Sequence, residues 1–135
     1  MWIFVTVGGG AGALARYWLS EWVTTAFAGA FPLGTLVVNV AGSLLVGFGM
    51  QTMEAVPVSA EVRTMVTIGF LAAFTTFSTF SYETVTLFRD GDWTRASLYT
   101  GLSVALGLVA VFIGIGGGVG PPQGQGVVWL SDSTP

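Results

Sequence analysis

The chain has 135 residues, 53% hydrophobic and only 8% charged, with a net charge of −3. Soluble domains carry about 25% charged residues, so a chain this poor in charge reads as an all-α integral membrane protein. With four Arg and no Lys, His or Cys, it has no basic footprint for nucleic acid and no polybasic segment for anionic lipid. Thiol redox chemistry, Cys/His metal sites and His-based triads are excluded as well.

The first predicted span runs from about Trp2 to Phe27 and carries Gly8-Gly9-Gly10-Ala11-Gly12. It lacks the basic start of a signal peptide, and Arg16 falls where an apolar core should continue. Trp22 to Met53 is free of charge but is longer than the roughly 20 residues one crossing needs. Gly29 and Pro32 mark the break, and the second span is predicted from Pro32, suited to a first helical turn, to Met53. The third is expected from Glu61 to Phe88 and the fourth from Trp93 to Gly116. The connections Ala28–Phe31, Glu54–Ala60 and Arg89–Asp92 are short, which makes neighbours antiparallel. Residues 1–118 thus form a four-helix transmembrane domain, and the Gly/Pro-rich residues 119–135 read as a flexible tail.

Small residues four apart let membrane helices approach closely; Gly8 and Gly12, Ser43 and Gly47, and Ser103 and Gly107 have that spacing. The loops on the N-terminal side hold Arg63, and those on the other side hold Arg89 and Arg95. So small a bias is a weak positive-inside signal and permits insertion either way round, hence an antiparallel dimer.

Within the third span, Phe74-Thr75-Thr76-Phe77-Ser78-Thr79-Phe80-Ser81 places five hydroxyls among three rings. Hydroxyls in a membrane helix bond the carbonyl one turn back, which accounts for one or two of them. A helix break would account for more, because freed backbone groups are tolerated only inside protein or beside a wet cavity. Carbonyls released there can hold a cation. Phenyl rings have a positive edge, so Phe77 and Phe80, one turn apart, could offer edges to an anion. Asn39, with Ser43 one turn on, Arg16, and Glu83 just after the block are the other polar groups within or near spans, where a central charge costs about 2.5–3.5 kcal/mol. An interhelical hydrogen bond for Asn39 and interfacial placement for Arg16 and Glu83 are the competing explanations. Tyr99 and Ser103, one turn apart in the fourth span, extend a polar track. These residues suit a path for a small hydrated anion, without distinguishing fluoride from chloride.

Three segments, Gly8 to Tyr17, Pro32 to Gly42 and Gly69 to Ser81, resemble the Fluc (CrcB) fluoride channels in order and spacing, over roughly Gly8 to Leu108. The resemblance implies a four-helix subunit with a broken third helix, paired as a dual-topology antiparallel homodimer in the inner (plasma) membrane. Two pores per dimer would export fluoride passively. It further implies pore roles for Phe77, Phe80 and Asn39, with Thr76, Ser78 and Thr79 around the break. Tyr99 and Ser103 would form the polar track, Glu83 would stand at its end, and Arg16 would lie near the vestibule. A structural sodium ion would be held at the dimer centre by the carbonyls of Ala72 and Thr75. The family usually has two glycines where this chain has Ala72-Ala73, and alanine resists left-handed backbone.

Two other functions compete. A small proton-coupled multidrug exporter can share the four-helix dual-topology plan, but it needs a membrane-embedded carboxylate, and the first span offers only Glu21 near its edge. A purely structural subunit would have no use for the polar block.

Overall fold

The computed structural model describes residues 1–120; all but the first two residues of the expected tail, 119–135, lie outside the described residues. The described part is helical, with α1 (Trp2–Ala26), α2 (Leu33–Ala55), α3 (Ala60–Thr64), a π-helical segment (Met65–Leu71), α4 (Ala72–Phe74), α5 (Phe77–Arg89) and α6 (Trp93–Gly117). Three helical runs are long and apolar enough to cross a membrane: Leu33–Ala55, Ala60–Arg89 and Trp93–Gly117. The 25 residues of α1 span about 37 Å at 1.5 Å per residue, but its glycines, Arg16 and Glu21 dilute its apolar character. Trp2 projects at one end of α1, and Trp18 and Trp22 project near the other, all well exposed, as aromatic anchors at two membrane–water interfaces do. The protein is a multi-pass membrane protein.

Local chemistry sets the helix ends. Ser59 caps α3, its Oγ accepting from Val62 N at 3.3 Å. Asp92 caps α6: its Oδ1 accepts from Arg95 N at 3.1 Å and its Oδ2 from Arg95 Nη1 at 2.8 Å. Between α5 and α6 the chain reverses at Gly91, whose φ of +78° disfavours a side chain. Pro32, expected within the first turn, stands instead at the N-cap of α2, with φ −79° and ψ 66°, and the helix begins one residue later at Leu33. The second helix also runs two residues past Met53, to Ala55. There Arg63 reaches back and donates from Nη2 to the Met53 carbonyl at 2.7 Å, placing a cation where the helix dipole is negative. Arg63→Met should therefore lower stability by about 1 kcal/mol, read as a fall in the thermal midpoint of the detergent-solubilised protein.

Packing relies on backbone approach. A Cβ on Gly8 would run into the Met65 carbonyl oxygen, and one on Gly12 into that of Phe70, so α1 lies directly on the backbone of the π-helical segment. Gly47 and Gly114 do the same for α2 and α6, against the carbonyls of Val111 and Leu44. Gly107 is looser, since a Cβ there would stand 3.6 Å from Ser43 Oγ. Without a hydrophobic drive in lipid, such contact is the main source of helix association. Val23, Val38, Leu71, Phe74, Ala96 and Tyr99 form the buried interior.

Candidate functional site

Within the third span, the chain leaves helical geometry at two residues. Thr75 has φ −81° and ψ 156°, and Thr76 has φ −147° and ψ 112°. Thr75 ends the preceding turn, its N and its Oγ1 each donating to the Leu71 carbonyl at 3.2 Å. Thr76 starts the next helix, its Oγ1 accepting from Thr79 N at 3.2 Å, the usual N-cap bond. Across from them on α2, Asn39 Oδ1 accepts from Thr76 N at 2.8 Å and Asn39 Nδ2 donates to the Thr76 carbonyl at 3.0 Å.

The five hydroxyls of the block then divide by geometry. Thr75 back-bonds to Leu71, and Ser81 to the Phe77 carbonyl at 2.9 Å. The other three cluster at the start of α5: Thr76 Oγ1 donates to Thr79 Oγ1 at 3.0 Å and lies 3.3 Å from Ser78 Oγ. Back-bonding thus explains two hydroxyls, and the interruption of the helix organises the remainder.

Two grooves meet at Thr76. One, of about 340 Å³, is lined by Asn39, Ser43, Phe77, Phe80 and Ser103 among others; the second, of about 210 Å³, is lined by Arg16, Ser20, Glu21, Thr35 and Thr79. In the first, the Phe77 and Phe80 ring centroids are 5.6 Å apart and tilted by 45°. Phe80 leans in turn on Tyr99, at 5.3 Å and 53°. Phe77 is 79% exposed, an unusual position for a phenyl ring flanked by hydroxyls. Ser103 Oγ is buried and has no hydrogen-bond partner among the described residues, which leaves it a donor and lone pairs within the groove wall.

Glu83 lies further along α5 and lines neither groove itself. Its Oε1 accepts from Thr35 Oγ1 at 2.9 Å and its Oε2 from the fully buried Tyr99 hydroxyl at 2.6 Å. A third recess, of about 220 Å³ and lined by Glu83, Tyr82, Thr86 and Asp90 among others, opens beside it. Arg16 makes no ion pair among the described residues, where the only salt bridge joins Asp92 and Arg95.

The structure therefore gathers Asn39, Thr76, Phe77, Phe80 and Ser103 about one groove and places Arg16 and Thr79 on the other. Ser78 lies at the start of α5, while Tyr99 ties Phe80 to Glu83. Thr35 and Gly42 did not stand out in the sequence. Thr35 is one helical turn before Asn39, and that spacing on a polar-poor helix was the available signal. Ala72, at the alanine pair, has φ −67° and ψ −33°, ordinary right-handed helix in which glycine confers no advantage.

A family described as "CrcB-like protein, Camphor Resistance (CrcB)" matches residues 3–115. The chain belongs to the CrcB family. Among relatives of this CrcB chain, the "Fluoride-specific ion channel FluC" of Methylococcus capsulatus is 47% identical over 82% of the chain, though the chain spans only 49% of that protein's length. The protein of the same name from Shewanella loihica is 45% identical over 83% of the chain and 90% of its own length. That of Shewanella baltica is 42% identical with the same coverage. CrcB membership with three membrane-capable runs makes this a multi-pass inner-membrane protein.

Proposed function

We propose that this chain is a passive, fluoride-selective ion channel that exports fluoride from the cytoplasm. The observation that carries the reading is the groove at the start of α5. Two phenyl rings stand there beside Asn39, Ser43 and an unpartnered Ser103 hydroxyl. The names of the relatives support the choice of ion.

A dehydrating anion needs positive potential without a tightly binding full charge. The ring edges of Phe77 and Phe80 supply it through the aromatic quadrupole, and Ser103 and the hydroxyls of Ser78 and Thr79 can replace hydrating water as donors. Arg16, in the adjoining groove, raises the local anion concentration electrostatically. Tyr99 and Thr35 hold Glu83 on both oxygens, at the far end of the track.

Four spans form the subunit, α1 joining the three apolar runs as the first in chain order, and the third is broken at Thr75-Thr76. Two copies pair antiparallel as a dual-topology dimer with two pores. A structural sodium ion is assigned to the carbonyls of Ala72 and Thr75. In an unbroken helix the Thr76 N–H would serve the Ala72 carbonyl, but it goes to Asn39 instead. Thr75 is itself extended. Such freed oxygens are the hard donors an alkali cation would take.

The test is direct. Liposomes bearing the purified protein and loaded with potassium fluoride are treated with valinomycin, and fluoride is followed with an electrode. Rapid fluoride efflux without chloride efflux is expected. Slow proton-dependent flux, as from a proton-coupled exporter, or no flux at all, would sink the proposal.

A further inference from the structure

We infer that Asn39 is a positioning residue that acts through the Thr76 backbone. Together with Gly42 it forms a template on α2 that holds residues 75–76 out of the helix and so fixes where α5 begins. The inference draws on the channel reading only for its consequence in flux.

Three observations carry it. First, Thr76 is extended, with φ −147° and ψ 112°, a conformation in which one residue's N–H and C=O face the same side. In an antiparallel sheet a neighbouring strand would exchange both bonds with such a residue. Among the described residues there is no strand, and the Asn39 amide makes both bonds, at 2.8 and 3.0 Å. Both polar atoms of the amide are thereby engaged on the backbone. Second, Gly42 lies one turn further along α2. A Cβ there would run into the Thr75 Cγ2 methyl and stand 3.1 Å from Phe74 Cδ1, so the missing side chain makes room for the residue before Thr76. Third, Thr76 lines the grooves on both sides of it. Without Asn39, its polar groups would depend on water, and the cheapest alternative is to close the α-helical bond from Thr76 N to the Ala72 carbonyl. That closure would turn Phe77 and Phe80 about the helix axis and withdraw the carbonyl.

Backbone exchange tests this without any ion. Hydrogen–deuterium exchange is followed for the peptide containing Thr76, in wild type, in Asn39→Leu, which keeps the volume but not the bonds, and in Gly42→Ala. In wild type the Thr76 amide should exchange slowly although it lies outside any helix; fast exchange there overturns the template. Asn39→Leu should assemble, exchange faster at Thr76 but not within α2 or α6, and carry roughly tenfold less flux, as the loss of two hydrogen bonds implies. Flux lost with Thr76 exchange unchanged would make Asn39 an ion ligand and refute the inference, as would full flux in assembled Asn39→Leu. Should Asn39→Leu fail to assemble, Gly42→Ala gives the same answer through Thr75, with unchanged exchange at residues 75–76 counting against the template. If wild type carries no fluoride, the channel reading fails while the exchange result still decides the role of Asn39.

Discussion

Replacing Phe80 by Ile should reduce fluoride flux about tenfold, and replacing Phe77 as well should bring the loss to about a hundredfold, each ring edge contributing ~1.4 kcal/mol at the barrier. Isoleucine keeps much of the volume and all of the apolar character, so what it removes is the quadrupole. Phe80 also leans on Tyr99, whose hydroxyl holds Glu83, so Phe80→Ile perturbs the track beyond the ring. Phe77 is mostly exposed on the single chain and touches no part of the Tyr99–Glu83 link, so Phe77→Ile removes its edge and its contact with Phe80 while leaving that link in place. Flux through reconstituted protein, normalised to protein that elutes as an assembled species, measures both. Undiminished flux in an assembled double variant would remove the rings from the mechanism.

Gly12→Val is expected to prevent assembly. The first added carbon would meet the Phe70 carbonyl oxygen and stand 3.0 Å from two further backbone atoms of Phe70. Backbone cannot rotate away as a side chain can. Overpacking of this kind costs about 3 kcal/mol or more, a large share of the stability of a small bundle. Gly10→Val is the control, because nothing lies within 4 Å of a Cβ at Gly10, and it should express and elute as wild type does. Comparable yield and thermal midpoint for the two variants would show that close approach of α1 to the π-helical segment does not hold the bundle together. The contact matters for the site as well, since the segment under Gly8 and Gly12 leads directly into Ala72–Thr76.

Charge-free stretches and turn residues marked the helices to within one or two residues, because burying a charge in lipid is costly and loops must carry the charges. The π-helical form of Met65–Leu71 was not legible: with Thr67 as its one polar side chain, the segment shows no polar phase from which a wider turn could be recognised. Short-range chemistry was partly legible. Back-bonding, which acts over one turn, was expected for one or two of the five hydroxyls and occurs for Thr75 and Ser81. Asn39 stood out as a polar group in a span, with an interhelical bond as one explanation, but its partner lies 37 residues away. The link from Thr35 to Glu83 crosses 48 residues. No spacing rule connects such positions.

By itself, the sequence determined that the chain lives in a membrane, where its helices lie, and that the phenyl–hydroxyl block and Asn39 are its chemically unusual residues. Those properties depend on composition and on contacts within one helical turn. Tertiary structure alone decided that the Asn39 amide clamps Thr76, that Glu83 is held by Thr35 and Tyr99, and that Ser103 keeps an unpartnered hydroxyl. The reason is that a buried polar group takes whichever partner packing brings within about 3 Å, and the close backbone contacts of α1 and α6, made possible by glycines far from the block, determine which partner that is.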